Sequence, residues 1–370
     1  TWAKVLNYKN SIDYLTFSDN INEQFLETLY SVVKEQKDVF KPYFSYYKKF
    51  YKKKFNEKIS DYDWNRDLIK VKNRFSIEET QKLVLDSLKP FDKEYYDIAK
   101  NALLKDKWVD YFPNLNKKSG AYSIGSTFGI DKKLISMNFD YTFSSIETLA
   151  HELGHSMHSY FSDKNNSLNH SQYPIFLAEI ASIFNELLLY DHLLKTSDDD
   201  KLKFYILTKS INGFMSTVYR QVEWSNYEYE LYKLIDSGQA LNTYDALSDL
   251  YYKNNIKYSF SKKPKPKDKN KLLFWSIRVP HFYYDFYVYK YAIGQLVANI
   301  FFQKYKLSGE TFLKEYIDLF LKKGGSNYSL AILKESNIDL NDKATYLIGF
   351  DSIKEKIKLW VKLGKKIFNI

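Results

Sequence analysis

His151-Glu152-Leu153-Gly154-His155, set in the run Leu149-Ala150-His151-Glu152-Leu153-Gly154-His155-Ser156-Met157-His158, decides how the rest of the chain is read. Two histidines four residues apart on a helix lie about 40° apart around its axis, so both imidazoles reach one metal ion on one face. The glutamate after the first histidine is offset by about 100°. It falls outside the pair but beside a water on the metal's open side, which is the place of a general base. The alternative is an amphipathic helix with solvated polar positions. Three of the six histidines of the chain lie within these eight residues, framed by Leu149, Ala150, Leu153 and Met157, which favours the metal.

The next apolar segment decides what completes the metal site. Phe176-Leu177-Ala178-Glu179-Ile180-Ala181-Ser182-Ile183-Phe184-Asn185-Glu186-Leu187-Leu188 follows a polar loop and Pro174. Ile180, Phe184 and Leu187 make one helical face, and Glu179 and Glu186 lie on another, seven residues apart. Buried carboxylates need a partner, and a metal supplies one. The HExxHxxGxxH class needs glycine at 158 and histidine at 161; this chain has His158 and Phe161. Glu179 is therefore the expected third ligand beside His151 and His155. Glu186 is the candidate to orient a ligand histidine, with His158 as a further candidate for that role.

Composition bounds the remaining readings. The 370 residues bury a substantial core, and only 12 glycines and 7 prolines argue for long helices over a sandwich of short strands. No cysteine is present, so disulfides and thiolate zinc sites are excluded. The formal charge of +10 comes from scattered lysines interleaved with 45 acidic residues, a pattern unlike a nucleic-acid groove. No apolar run has membrane-spanning length and no signal-peptide pattern follows Thr1, so the expectation is a cytoplasmic protein with neither nucleic-acid nor membrane partners.

In chain order, residues 22–51 carry apolar positions at helical spacing, and Ser76 with Glu79 forms a capping-box pattern ahead of a helix reaching Leu88. Another helix is predicted from Lys93 to about Leu104, with the carboxylates Asp61 and Asp63 in a solvated turn before these two. Residues 116–140 alone have strand character. Ala121–Thr127 and Lys133–Phe139 predict a β-hairpin whose edge strand can pair with an extended peptide. Ser144 or Ser145 is the expected cap of the motif helix. Lys203–Ile235 reads as one long helix and Lys262–Lys271 as a basic loop. If a helix follows Pro280, then His281, Tyr284, Tyr287 or Val288, and Tyr291 share a stripe of neutral donors suited to an oxyanion. An aromatic core helix is the competing reading.

Several stretches together resemble the M3 metallopeptidases, and within them the bacterial oligoendopeptidase F branch. They are Ser119-Gly120-Ala121-Tyr122, Thr148-Leu149-Ala150 running into HELGHSMH, FLAEIASIFNE at 176–186, Tyr219-Arg220-Gln221, VPHFYYDFYVYKYAIG at 279–294 and Leu321-Lys322-Lys323-Gly324-Gly325-Ser326. The resemblance implies an almost wholly helical zinc endopeptidase acting on short peptides in a deep channel. By the same resemblance His151, His155 and Glu179 hold one Zn2+, Glu152 is the general base, and His281 with Tyr284, Tyr287 and Tyr291 stabilises the transition state, Tyr289 being held in reserve.

The expected architecture is mainly α, a large helical zincin-type metallopeptidase domain built on HExxH plus a downstream Glu, with a small β-hairpin beside the site. Residues 1–370 read as a single catalytic domain: N-terminal helices over 1–115, the hairpin region over 116–140, and the helical zinc-binding and substrate part over 141–370. The family's usual N-terminal region is missing from the pattern, so a further N-terminal region or a separate chain is expected to complete the channel. The expected activity is zinc-dependent hydrolysis of internal bonds in short peptides. The alternative is a non-catalytic, zinc-containing peptide-binding fragment lacking the second channel wall.

Overall fold

Side-chain caps written into the sequence set where several helices begin. The computed structural model describes residues 2–370 apart from 61, 73, 126, 240, 241 and 261–268. Short helices α1 (Trp2–Val5) and α2 (Ser11–Thr16) lead into α3 (Glu23–Glu35) and α4 (Lys41–Phe55). Asn22 accepts the Phe25 N–H at 3.0 Å and so starts α3. Asp63 closes its own turn by accepting the Ser60 N–H, while Asp61 lies outside the described residues. α5 (Ile77–Ser87) has the expected capping box, with Ser76 Oγ accepting from the Glu79 N–H and Glu79 accepting from the Ser76 N–H. Asp92 caps α6 (Lys93–Leu104), which has the expected bounds.

The strand region forms a three-stranded sheet in the order β1-β3-β2. β2 (Tyr122–Ile124) and β3 (Leu134–Ser136) are the expected antiparallel hairpin, with Ser123 opposite Ile135. β1 (Val109–Asp110) adds a parallel strand on the far side of β3 that alternation does not reveal, because two residues carry no period. β2 is thus left as an edge. Lys133 is buried beneath the hairpin connection, binding the Asp163 carboxylate and the Ile130 carbonyl, and so ties the hairpin to the next helix.

That helix, α7 (Phe143–Asn165), carries the motif. Its N-cap is Thr142 rather than Ser144 or Ser145, because Asp140 gathers the start of the helix: its carboxylate accepts from the Thr142 N–H, the Thr142 hydroxyl and the Ser145 hydroxyl. After α8 (Leu168–Ser171), Pro174 opens α9 (Ile175–Thr196). The helix expected over 203–235 is continuous but contains a π-helical segment, Met215–Tyr219, between α10 (Asp200–Phe214) and α11 (Arg220–Asp236). Next come α12 (Tyr244–Tyr258), α13 (Lys269–Arg278), a 3-10 turn at Pro280–Tyr283, α14 (Tyr289–Ser308), α15 (Glu310–Leu319), α16 (Ser329–Glu335) and α17 (Lys343–Phe368). The predicted basic loop falls largely on 261–268, outside the described residues.

The buried faces gather into a contiguous apolar core with members from Ile12 to Phe368. Within it α9 packs on both α7 and α14, and α14 packs in turn on α17. Two glycines let these helices approach closely. A Cβ at Gly154 would lie 2.6 Å from the Ala181 carbonyl oxygen, and one at Gly294 would lie 2.6 Å from Glu179 Cβ. Any side chain at either position would force the helices apart just where the motif residues meet.

Candidate metal centre

The close crossing of α7 and α9 brings three lone-pair donors together. His151 Nε2 and His155 Nε2 are 3.2 Å apart, and Glu179 Oε2 lies 3.6 Å from the first and 4.0 Å from the second. Among the described residues this is the group of side chains that converges as a metal-ligand set, all its donor atoms lying within 4.8 Å of one another. Ligands about 2.1 Å from a tetrahedral zinc are about 3.4 Å from each other. The observed separations bracket that spacing, so the residues fit the ion that the motif implies.

Each histidine has a further hydrogen-bond partner on α9. His151 Nδ1 lies 2.5 Å from Glu186 Oε1, and the His155 ring is hydrogen-bonded to the Ala178 backbone. These contacts aim both Nε2 atoms at the shared centre. Burial would lower the His151 pKa, but its hydrogen bond to Glu186 and the charges of Glu186, Glu179 and Glu152 outweigh it and raise the value to about 9. Burial raises Glu179, with the His151 charge opposing it. His158 stands apart from this arrangement. It is fully buried, stacks on Tyr173 with centroids 3.7 Å apart, and among the described residues neither ring nitrogen has a hydrogen-bond partner. It packs behind the site and orients no ligand.

Glu152 is buried at 6% exposure beside the ligands, and burial raises its pKa to about 7 against the pull of His151. The Ser123 backbone on β2 hydrogen-bonds to it, and Ser123 Oγ meets Ser156 Oγ at 2.8 Å, so the edge strand lies along the motif helix. Two cavities flank this row. One, of about 420 Å³, is lined by Tyr122, Gly125, His155, Tyr173 and Glu179. The other, of about 650 Å³, is lined by Glu147, Glu186, Tyr190, Lys209 and Arg220. Both reach Ala121, His151 and Glu152, forming a polar cleft that passes the metal-ligand set on either side.

The segment after Pro280 departs from the expected helix. Residues 280–283 form a 3-10 turn, Asp285 and Phe286 take left-handed backbone at φ 44° and 48°, and regular helix starts only at Tyr289. The stripe of His281, Tyr284, Tyr287 and Tyr291 therefore does not exist as one face of one helix; the turn gathers the rings instead. His281 is parallel to Tyr287 with centroids 5.7 Å apart, and the Tyr287 and Tyr291 hydroxyls are 3.5 Å apart. Tyr284 lies at the outer side, 65% exposed, its ring 6.4 Å from His281. Tyr291 precedes Gly294 by one turn, on the part of α14 that abuts Glu179. Burial, then the Tyr287 hydroxyl and the Glu179 charge, push the Tyr291 hydroxyl upward and keep it a proton donor. Tyr289 is buried, and its hydroxyl donates to Asp19 at 2.5 Å, which holds it in the core and away from the cluster.

The sequence reading passed over Gly154, Gly294, the Ser123 backbone and the Ala178 backbone. The glycines had a signal: each stands inside an apolar helix where alanine would be favoured by about 1 kcal/mol, which points to a close approach. Backbone groups leave no such trace.

The model of peptidase family M3 matches residues 1–352. The chain belongs to peptidase family M3. Among relatives in this family, it is 38% identical over 345 residues to the oligoendopeptidase F homolog of Borreliella burgdorferi, covering 93% of this chain and 57% of that protein. It is 32% identical over 367 residues to oligopeptidase PepF of Bacillus subtilis, covering 99% and 53%. The fold is similar to the crystal structure of oligoendopeptidase-F from Enterococcus faecium, with a TM-score of 0.72 and 27% identity over 98% of this chain and 57% of that one. This M3 chain thus spans little more than half the length of those relatives.

Proposed function

We propose that this M3 chain acts as a zinc-dependent oligoendopeptidase in the cytoplasm, hydrolysing internal bonds of short peptides. The observation that carries the reading is the convergence of His151 Nε2, His155 Nε2 and Glu179 Oε2 beside the buried Glu152. These three residues would hold one zinc ion, which when bound supplies Lewis-acid polarisation of a carbonyl and acidifies water.

The chain's own groups account for the rest. The outer edge of β2, where the Ser123 backbone meets Glu152, would place its remaining backbone groups beside an extended peptide, which suits sequence-tolerant binding. Glu152 takes a proton from the attacking water as the water oxygen bonds to the scissile carbonyl carbon. His281, with Tyr287 and Tyr291 and with Tyr284 from the exposed side, donates hydrogen bonds to the oxyanion that develops. Glu152 then delivers its proton to the departing nitrogen as the C–N bond breaks. Glu186 keeps His151 in the tautomer that leaves Nε2 free.

A second reading is that this stretch of chain holds zinc and peptide without turnover. Cleavage of a quenched fluorescent peptide of about ten residues separates the two. The first reading predicts cleavage by zinc-loaded chain, its loss with chelator and its return with added zinc. Absence of cleavage with one zinc per chain bound supports the second. Cleavage that persists in chelator contradicts both.

A further inference from the structure

The left-handed turn that assembles the donor rings is gripped by α11, which supplies none of the metal-ligand set. Asp285 and Phe286 are consecutive non-glycine residues at positive φ, a backbone state that persists only when the surroundings enforce it. The surroundings are two residues of α11 one turn apart. Glu228 Oε1 accepts the Phe286 N–H at 2.8 Å in a buried setting. Tyr232 packs its ring on the fully buried Phe286 ring, with centroids 5.7 Å apart, and its hydroxyl hydrogen-bonds the Asp285 carboxylate. Beyond the turn, Tyr289 and Lys290 both bind Asp19, at 2.5 and 2.8 Å, so the far end is fixed as well.

We propose that Glu228 is a positioning residue: by holding the Phe286 amide it fixes the turn that sets His281 against Tyr287 and Tyr291 beside Glu179. A carboxyl here is an expensive way merely to fill space. Glu228 is 3% exposed, its Oε2 has no hydrogen-bond partner among the described residues, and burial pushes it to about 8, with the Phe286 amide opposing and Asp285 adding to the rise. An apolar residue of the same size would pack at lower cost but would offer the Phe286 amide no acceptor. The inference rests on the reading of His281 and its neighbouring tyrosines as transition-state donors.

The test compares Glu228→Gln, which keeps an acceptor at Oε1, with Glu228→Leu, which keeps the volume and removes it. Three readouts are taken on the zinc-loaded chain: amide exchange over 282–288, the affinity of a phosphinic peptide that mimics the tetrahedral oxyanion, and kcat and KM for the parent peptide. Glu228→Leu should fold and hold one zinc. It should speed exchange at Phe286, weaken the phosphinic peptide and lower kcat by about 10- to 100-fold, with KM within about twofold. Glu228→Gln should restore all three. Slow exchange and unchanged phosphinate affinity in Glu228→Leu overturn the proposal, as does a Glu228→Gln variant no better than Glu228→Leu. A His281→Ala variant separates the two levels: if it leaves phosphinate affinity unchanged, the donor reading itself fails, whereas a loss there with no effect of Glu228→Leu removes only the role of Glu228.

Discussion

His151 shows how much of this site is set one residue behind the metal. Its Nε2 faces His155 and Glu179 while its Nδ1 meets Glu186, a side chain two helical turns beyond Glu179 on α9, so both nitrogens of the ring are accounted for. Replacing Glu186 with alanine should lower zinc affinity by about 10- to 100-fold, measured by competition with a chromophoric chelator, while circular dichroism stays unchanged. Unaltered affinity would show that Glu186 does not orient His151. This pair was legible in the sequence because two glutamates seven apart on an apolar helix share a face and need a partner. His158 was not. Its proximity in sequence suggested a supporting role, yet three residues past His155 it points into an aromatic slot between Tyr173 and Phe320, and only packing reveals that.

Among the elements, the crossing of α7, α9 and α14 sets the geometry, and glycines set the crossing. Gly154→Ala drives a methyl into the Ala181–Ser182 backbone, and Gly294→Ala drives one against Glu179 Cβ. Each should cost about 1–3 kcal/mol of stability and weaken zinc binding as well, read by thermal unfolding and zinc titration. An alanine variant with wild-type values for both would mean that the helices have room to spare. Helices α5, α6 and α9 were legible from caps and period, and the hairpin from its alternation. The 280–291 segment departs from the conditional helical stripe because period assumes a uniform backbone. Pro280 starts only a 3-10 turn, and the left-handed pair at Asp285 and Phe286 is stabilised by α11, more than fifty residues away in sequence. Local pattern carries no information about such a distant grip.

At the scale of the molecule, the fold concentrates Glu152, Glu179 and Glu186 around two histidines at the wall of a cleft, and burial raises both Glu152 and Glu179. A divalent cation would offset the cost of burying these carboxylates together, so metal binding should stabilise the folded chain. Chelator should lower the melting temperature and stoichiometric zinc should restore it; a melting temperature indifferent to both would mean that the cluster holds no metal in solution. We propose that one site both binds the ion and performs hydrolysis with Glu152 moving the proton, and zinc content and peptide turnover measured together in Glu152→Gln test this. One zinc per chain is expected, as in the parent, with turnover reduced by about a thousandfold or more. Substantial turnover in that variant would contradict it.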